Sequence, residues 1–389
     1  MYETVTARSV LYIDIEGGNG GSSKSLTYMA NRLDRTRYLP EIWHRLDNGH
    51  GDYLTGLHIE HRHEPRICSI TPRASHNLKL WLVTAPRLLG LRPVADEIAA
   101  ASPDVLHLNY EGLVPLLWLI GRQKKHPKII IHFRTMSPAN SVYRAFAKII
   151  NRHADQLIFI SENERELVAS AGVNVDRITS DVIYNPVQVP LGSEVSARRN
   201  DLATTLRLGY LSTLDDLRGA DRLIELADAL RRQNVNARID AFGGSPGYRK
   251  LLVFPRRTLE ELRERVAQNG LGDWITYHGR TEDPDAVLRE TDILMWPARA
   301  NNPWGRSILE AMAQGVPIMA VGQYDKFVTN EQTGYLFDQW NPEEWAKTIH
   351  RLDTDRSHLR ALSQNARHRV SDLCDPDRYA ARMMEVYDR

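Results

Sequence analysis

Short apolar, β-branched runs alternate along the first half of the chain with longer amphipathic segments. This alternation is typical of parallel sheets whose strands are joined by crossover helices. The pattern predicts strands over Val10–Ile15, Val105–Leu108, Ile129–His132, Leu157–Ser161 and Val182–Tyr184. It predicts helices between them over Ser25–Leu33, Tyr143–Asn151 and Asn163–Ala171. The first half is therefore interpreted as an open α/β domain.

The same alternation restarts in the second half. Further strands are predicted over Leu206–Leu211, Ala237–Phe242, Trp274–Tyr277, Ile293–Trp296 and Pro317–Val321. Further helices are predicted over Asp221–Arg232, Leu259–Asn269, Gly305–Gln314, Glu343–Leu352 and Ser357–Val370. The sequence thus predicts two open α/β domains in tandem.

A segment rich in proline and polar residues separates the two series, which favours an interdomain linker. We place the first domain at residues 1–190, the linker at 191–203 and the second domain at 204–372. Ligands of open α/β sheets bind beyond the carboxyl ends of the strands. We therefore expect a site in a cleft between the two domains.

Composition is that of an ordinary globular protein of two domains, with 389 residues, 42% hydrophobic and 25% charged. The formal net charge of +1 gives no reason to expect nucleic acid as the main partner. The two cysteines, Cys68 and Cys374, form neither a metal-ligand pair nor a disulfide framework, and we expect reduced thiols.

Targeting and membrane signals are weak. The polar stretch Met1–Arg8 is not a signal peptide. The longest strongly apolar run, Leu113–Ile120, falls far short of the roughly 20 residues that span a bilayer. We expect a soluble cytoplasmic protein, with peripheral contact at the inner membrane face left open.

A glycine-rich loop follows the first strand and opens a helix, and it contains Gly17, Gly18, Gly20 and Gly21. Glycines let a backbone approach a ligand, and a helix N-terminus favours an anion. A Walker loop needs glycine directly before Lys-Ser, where this chain has Ser23. A tight turn without a ligand, and a turn against donor phosphates or the acceptor, both remain open.

The second half contains a loop that enters a helix, Asn302–Pro303–Trp304–Gly305, followed by Arg306 and, in the helix, Glu310. Free backbone N–H groups at such a helix start can hold a diphosphate. Glu310 lies about two turns into the predicted helix, where a carboxylate can accept hydrogen bonds from the two hydroxyls of a ribose. This segment predicts a nucleotide-diphosphate site.

The complete string from Pro297 to Pro317 resembles the donor-site signature of retaining GT-B glycosyltransferases, specifically glycosyltransferase family four. The resemblance implies two Rossmann-like, doubly wound domains that face each other across a cleft. It also implies a terminal helix, residues 373–389, that returns to the first domain. The implied activity is transfer of a sugar from a nucleotide-diphosphate donor, as in polysaccharide biosynthesis.

Other stretches resemble the same family in the right order. The segment Gly209–Asp221, with Thr213 and Arg218, is similar to the first strand and loop of the donor domain, where an arginine and a lysine grip the diphosphate. Gly243–Gly244 is similar to a glycine-rich turn of that domain. Ile183–Val187 is similar to the Asn-Gly-Val segment before the linker. His132 is similar to the histidine that faces the donor sugar.

Two positions depart from the family pattern. Asn302 stands where the family has a carboxylate near the reacting carbon, and an amide there can still bond to sugar hydroxyls without charge. Thr213 stands at the family's arginine position, while Arg218 keeps the lysine position basic. Arg306 is a candidate replacement for the missing phosphate ligand, with a solvated surface arginine as the alternative.

The resemblance implies retention by front-face attack, in which the leaving phosphate oxygen takes the acceptor proton. The protein then acts by positioning and by stabilising the departing charge. We assign the catalytic roles to His132, Asn302 and Arg306, with a packed strand-end histidine as the alternative for His132. No cofactor and no metal are expected, because Asp215–Asp216 is best explained as a solvated turn.

The first domain is expected to bind the acceptor, a glycan, a lipid-linked glycan or a small molecule, with Glu111 and Arg134 on that side. Trp81–Arg92 and the basic cluster Lys124–Lys128 predict contact with anionic lipid headgroups, with a buried helix and a solvated loop as the alternative. Three other functions stay open: a catalytically silent binding protein, a nucleotide-sugar epimerase and a P-loop nucleotidase.

Overall fold

The computed structural model describes residues 7–18, 20–70, 85–135, 140–190, 204–244, 259–299 and 304–389. The chain divides into two compact units. Unit 1 comprises Met1–Pro186 and Pro376–Arg389, and unit 2 comprises Val187–Asp375. The proposed linker, residues 191–203, lies outside the described residues.

Unit 1 is built on a sheet in which seven strands pair within the described residues. They are β1 (Arg8–Asp14), β2 (Tyr38–His44), β3 (Glu60–His63), β4 (Val105–Leu108), β5 (Lys128–His132), β6 (Gln156–Phe159) and β7 (Thr179–Val182). The order is β3-β2-β1-β4-β5-β6-β7, and the pairs are parallel. Strand order reverses between β1 and β4, which is where ligands bind in doubly wound sheets.

Helices cover both faces of this sheet. They are α1 (Gly21–Arg32), α2 (His50–Gly56), α3 (Leu91–Ala101), α4 (Val114–Ile120), α5 (Ser141–His153), α6 (Glu162–Ser170) and, from the chain end, α13 (Pro376–Asp388). Ile129 and Ile131 of β5 belong to the core shared with α3, α4 and α5, whereas Ile130 belongs to the core shared with α1 and α13. Burial on both faces explains the continuous apolar run of β5.

Unit 2 repeats this architecture with six strands paired among its described residues. They are β8 (Leu206–Leu211), β9 (Ala237–Phe242), β10 (Ile275–Gly279), β11 (Ile293–Trp296), β12 (Ile318–Val321) and β13 (Gly334–Phe337). Its helices are α7 (Arg222–Arg232), α8 (Leu259–Gln268), α9 (Pro284–Glu290), α10 (Arg306–Ala313), α11 (Pro342–Thr354) and α12 (Arg356–Leu373). The sheet order β10-β9-β8-β11-β12-β13 reverses between β8 and β11.

The predicted elements are confirmed with ends that differ by a few residues, and the strands Val105–Leu108, Leu206–Leu211, Ala237–Phe242 and Ile293–Trp296 match in full. One strand differs more. The sequence predicted Val182–Tyr184, but β7 ends at Val182, because its register pairs Gln156 with Thr179 and Phe159 with Val182. The sequence reading missed β2, β3 and β13.

Side-chain caps define several helix starts. Asn140 accepts from the backbone N–H of Tyr143 before α5, and Ser161 accepts from that of Glu164 before α6. Asn341 accepts from two first-turn N–H groups of α11. Such caps satisfy backbone donors that have no partner within the helix. Over the part of the chain that the structure describes, no helix combines the length and the apolar character needed to cross a membrane.

Candidate functional site

The candidate donor residues of unit 2 lie on loops that follow β8, β9 and β11. These strands are neighbours in the sheet, so their carboxyl ends meet around the point where strand order reverses. The loops are also bonded directly to one another. The N–H of Leu214 donates to the carbonyl of Gly244 at 3.3 Å, and that of Arg299 donates to the carbonyl of Leu217 at 2.9 Å.

Gly219 holds the β8 loop against the end of β11. Its φ of 75° is one that side chains rarely adopt, and a Cβ would collide with the carbonyl oxygen of Pro297. Arg299 fixes the same junction through two bonds to the carboxylate of Asp221, at 2.7 and 2.8 Å. The position of the neighbouring Arg218 is therefore set by backbone packing.

Trp296, the last residue of β11, links two predicted donor residues. The guanidinium carbon of Arg218 lies 5.4 Å from the centre of the Trp296 ring, within the range of a cation–π contact. A Cβ at Gly305 would lie 3.6 Å from the same ring. Both the Arg218 guanidinium and the start of α10 thus lie near this ring. Sequence reasoning did not assign Trp296, although it ends a strand that leads into the predicted site.

Helix α10 begins with Gly305 at its N-cap, without a side-chain cap. Its first-turn N–H groups can therefore bind an anion. Arg306 and Glu310, one turn apart, form an ion pair in which Nε lies 2.8 Å from Oε1, and both side chains are mostly buried. Arg306 and Glu310, the residues predicted to bind phosphate and ribose, are thus hydrogen-bonded to each other.

Four arginines lie near this edge of unit 2, and they differ in their partners. Arg299 pairs with Asp221, Arg306 pairs with Glu310, and Arg222 donates to the carbonyl of Pro297 at 2.9 Å. Arg218 is half-buried and forms no ion pair with any acid among the described residues of unit 2. Arg218 is therefore the cation with a guanidinium left for an incoming anion.

The remaining predicted donor residues are distributed as follows. Thr213 is exposed on the β8 loop, and Gly243 is so close to the carbonyl of Ser212 that a Cβ would collide with it. Trp304 is buried beside Phe327, and its Nε1 has no hydrogen-bond partner in the described part of the chain. Asn302 and Pro303 lie outside the described residues.

Unit 1 has a buried polar network at the carboxyl edge of its own sheet. Asn109, after β4, donates from Nδ2 to Asp14 at the end of β1 at 2.8 Å. Its Oδ1 accepts from Nε and Nη2 of Arg134, after β5, at 2.9 and 2.6 Å. Nη1 of Arg134 donates to Asn185, after β7, at 2.8 Å. Four strand ends are joined in this way, and burial raises the pKa of Asp14 to about 6.

Glu111 extends the network on the other side of Arg134. It is buried, and it accepts from the backbone N–H of Arg134 at 3.1 Å and from the Thr135 hydroxyl. Burial, and to a lesser extent the nearby charge of Glu111, raises the pKa of Glu164 to about 8. Asn109 and Asn185 were not assigned from sequence. Their signal was available, because each is a polar residue shortly after a buried strand.

His132 lies in a packed environment at the end of β5. Its side chain is fully buried, and Nδ1 lies 3.2 Å from Nε2 of His107. His107 in turn bonds to the Tyr387 hydroxyl of α13 at 3.0 Å. The physical reason is strand alternation: His132 shares the face of Ile130, which packs against α1 and α13. Burial holds the pKa of His132 well below its usual range. Arg134 is the polar side chain that this strand places at the sheet edge.

The glycine-rich loop is packed against its own chain. A Cβ at Gly17 would meet the Leu46 carbonyl, and one at Gly18 would meet the His50 ring. A Cβ at Gly20 would meet the carboxylate of Glu16, which accepts from the Ser22 hydroxyl at 2.6 Å. Gly21 is the first residue of α1. The carboxylate of Glu16 thus lies beside the start of α1, where a negative charge is favoured.

In neither unit do the described residues bring three or more histidine, cysteine, aspartate or glutamate side chains together in a group able to hold a metal ion. The two cysteines are both buried and free.

Comparison with known proteins agrees with this architecture. The family model for Glycosyltransferase Family 4 matches residues 19–189, and the model for Glycosyl transferases group 1 matches residues 197–369. The chain belongs to the group 1 glycosyltransferases. Its fold is GT-B, with two Rossmann-like parallel-sheet domains.

Group 1 relatives match over much of the chain. A D-inositol 3-phosphate glycosyltransferase of Salinispora tropica is 28% identical over 95% of this chain and 81% of its own. The putative glycosyltransferase YtcC of Bacillus subtilis is 22% identical over 76% of this chain and 74% of its own.

Solved structures show the same fold. HepE of Anabaena, in complex with UDP and glucose, superposes with a TM-score of 0.75 at 20% identity and covers 98% of this chain and 99% of its own. Sucrose-phosphate synthase of Thermosynechococcus elongatus has a TM-score of 0.75 at 19% identity, with 98% of each chain covered.

Proposed function

We propose that this glycosyltransferase moves a sugar from a nucleotide-diphosphate donor bound by unit 2 to a hydroxyl of its acceptor, with retention at the anomeric carbon. The observation that carries the proposal is Arg218. It is a half-buried cation with no acid partner among the described residues, and it packs on Trp296 next to the uncapped start of α10.

The diphosphate is the group that these features fit. Arg218 supplies a guanidinium fork, and the first-turn N–H groups of α10 supply backbone donors. Together they stabilise the charge that develops on the leaving diphosphate, which is the role of a metal ion in other transferases. We propose that no metal is needed. Asn302 and Arg306 are proposed to contact the donor sugar and phosphate.

Glu310 is proposed to accept the ribose hydroxyls. In the described structure Glu310 is held by Arg306, so the ion pair orients the carboxylate and limits its freedom before the nucleotide binds. A carboxylate with a fixed orientation loses less conformational entropy when it forms the two hydrogen bonds.

The proposed chemical step is front-face substitution. The bond between the anomeric carbon and the diphosphate oxygen breaks, and the acceptor oxygen bonds to that carbon on the same face. The acceptor proton passes to the leaving phosphate oxygen. The protein contributes orientation and charge stabilisation, and it forms no covalent intermediate.

Similar structures guide the choice of donor. HepE structures contain UDP and UDP-glucose, so a uridine nucleotide is the first donor to test. For the acceptor we propose a hydroxyl of a glycan, a lipid-linked glycan or a small molecule, as in polysaccharide biosynthesis at the cytoplasmic side. In unit 1, Glu111 and Arg134 are the proposed acceptor-side residues, because they lie at the carboxyl edge of the sheet.

The test is thermal stabilisation by a panel of nucleoside diphosphates and nucleotide sugars without metal. A ligand at about one hundred times its Kd adds roughly 2.7 kcal/mol. We expect one nucleotide to raise the Tm, and Glu310→Gln and Arg218→Met each to weaken its binding about 10- to 100-fold, as expected for loss of a charged hydrogen bond.

Glu264→Gln, on the exposed face of α8, is the matched control and should bind as the parent does. Nucleoside diphosphate release in the presence of acceptor then separates transfer from silent binding. If no nucleoside diphosphate or nucleotide sugar raises the Tm, but ATP with magnesium does, the proposal is wrong.

A further inference from the structure

Two neighbouring segments of unit 1 contain cations and no acids. Residues 114–128 and 141–154 include seven of the 50 lysines and arginines of the chain and none of its 49 aspartates and glutamates. The net charge of the whole chain is only +1, so the remainder is acidic. The charge of this protein is therefore unevenly distributed, and the positive excess is local.

Helix α5 forms one half of this region. Arg144, Lys148 and Arg152 follow one another at four-residue intervals and are exposed. Tyr143 and Ile150, on the opposite face, are buried in the core. No acid of the described chain forms an ion pair with any of the three cations, which lie on one side of the helix over about 12 Å.

Helix α4 and the loop after it form the other half. A Cβ at Gly121 would meet the ring of His153, so the loop packs directly against the end of α5. Arg122, Lys124 and Lys125 are exposed on this loop. Trp118 is 41% exposed on α4, and the Arg122 guanidinium lies 4.6 Å from its ring centre.

We call this surface the basic face and define it by its six exposed cations, Arg122, Lys124, Lys125, Arg144, Lys148 and Arg152. It differs from the surface expected from sequence. Arg92 pairs with Asp96 at 3.5 Å, and Lys128 donates to the carbonyl of Val386 at 2.7 Å, so both are engaged elsewhere. Residues 81–84 lie outside the described residues.

We propose that the basic face, together with Trp118 beside Arg122, docks the protein on an anionic lipid surface. Clustered lysines and arginines are attracted by the negative potential of acidic lipids. An exposed indole beside them suits the headgroup level, because its ring is apolar and its N–H is polar. Among the described residues, the six cations have no acid partners to lose on binding. This inference does not depend on sugar transfer, although it brings a lipid-linked acceptor close to unit 1.

The experiment is co-sedimentation of the full chain with vesicles of phosphatidylcholine, alone or mixed with phosphatidylglycerol. We expect binding only to the anionic vesicles and much less at high salt, because exposed charges are screened. Each cation near such a surface contributes about fivefold in affinity. The variant R144E/K148E/R152E should therefore bind at least about 100-fold more weakly.

The matched control is R177E/K347E/R360E, which makes the same change of net charge at exposed positions that do not belong to the basic face. It should retain most of the binding. Trp118→Ala should bind more weakly and should lack the blue shift in tryptophan fluorescence that the parent shows on anionic vesicles. A cooperative melting transition of R144E/K148E/R152E near the parental Tm checks that the variant is folded.

Three results would overturn the proposal: no binding to anionic vesicles at low salt, equal loss of binding in both triple variants, or tighter binding to a short DNA duplex than to the vesicles. None of these results bears on transfer to a water-soluble acceptor, so failure here and failure of the proposed transferase activity are distinguishable.

Discussion

At the scale of single residues, the charge state of unit 1 depends on burial rather than on residue type. Asp14 and Glu164 are both fully buried, and burial raises the pKa of their carboxyls to about 6 and about 8. Glu164 still accepts the N–H of Ile160 at 3.0 Å, while its Oε1 has no partner among the described residues. The raised pKa predicts that the carboxyl of Glu164 keeps its proton at neutral pH.

This protonation predicts a pH dependence of stability. An unfolded glutamate loses its proton near pH 4.3, whereas folded Glu164 keeps it to about pH 8, so the folded state binds more protons between these values. The free energy of unfolding should fall as pH rises through this window. Glu164→Gln should flatten the slope and be more stable than the parent at about pH 8.

Urea denaturation between about pH 5 and about pH 8 measures this effect. Glu166→Gln, an exposed position on the same helix α6, is the control and should keep the parental slope. A Glu164→Gln variant with the same slope as the parent would show that Glu164 is ionised in the folded protein.

The hydrogen bonds that join Tyr387, His107 and His132 determine which nitrogen of each imidazole ring carries the proton. If the Tyr387 hydroxyl donates to His107 Nδ1, His107 donates from Nε2 to His132 Nδ1, and His132 carries its proton on Nε2. Nε2 of His132 is buried without a partner among the described residues. This chain of contacts joins β5 and β4 to α13. Arg134, two residues after His132, bonds to Asn109 and Asn185 at the sheet edge.

At the scale of elements, α13 completes the core of unit 1 although it lies at the other end of the sequence. Tyr379, Met383, Val386 and Tyr387 are buried in the core that also contains Tyr12 and Met29. The Tyr387 hydroxyl lies 3.1 Å from that of Tyr12 and 3.2 Å from the Met29 sulfur. The last helix is therefore part of the fold of the first domain.

Adjacent methionines on α13 give a matched test of this packing. Met383 is fully buried, whereas Met384 is half-buried. Met383→Ala should lower the free energy of unfolding by about 2–5 kcal/mol, because it leaves a cavity. Met384→Ala should cost less than half as much. Equal losses in urea denaturation would show that α13 does not pack in the core as described.

Edge strands illustrate what local sequence does not reveal. Strand β3, Glu60–His63, has the sequence EHRH and no apolar residue, and it is a strand because it pairs with β2 in the register Glu41–Glu60. The polar edge is compatible with solvent and discourages pairing with other chains. Periodicity cannot find such a strand, because its side chains have no alternation between core and solvent.

At the scale of the whole molecule, the chain leaves unit 1 after Pro186 and returns to it at Pro376. The two points at which the chain passes between the units are close together, because the N–H of Val187 donates to the carbonyl of Cys374 at 2.9 Å. Unit 2 is thus an insertion whose ends lie side by side. Each unit has its own core, so each has the means to fold by itself.

Fragments test this organisation. Residues 187–375 should fold alone and should bind the same nucleotide as the full chain, detectably by a rise in Tm. Residues 1–186 should be insoluble, because the core face that α13 covers would be exposed to water. A fusion of 1–186 to 376–389 through a short Gly/Ser linker should restore a soluble fold with a cooperative transition. A soluble, cooperatively folded 1–186 fragment would contradict this division.

The sequence by itself determined the alternation of strands and helices, the two α/β series and the family, because these depend on local periodicity and on short motifs near the donor site. It also placed Arg218, Gly305 and Glu310 on loops and helix starts of one domain, because residues near the carboxyl ends of parallel strands gather at one edge.

Tertiary structure alone decided which side chains are free to act. Strand parity and the packing of α13 buried His132, and the carboxylate of Glu16 came to lie against Gly20. Arg306 forms an ion pair with Glu310, whereas Arg218 has no acid partner in the described chain. Burial and ion pairing depend on contacts between residues far apart in sequence. The spacing of residues along the chain does not predict such contacts.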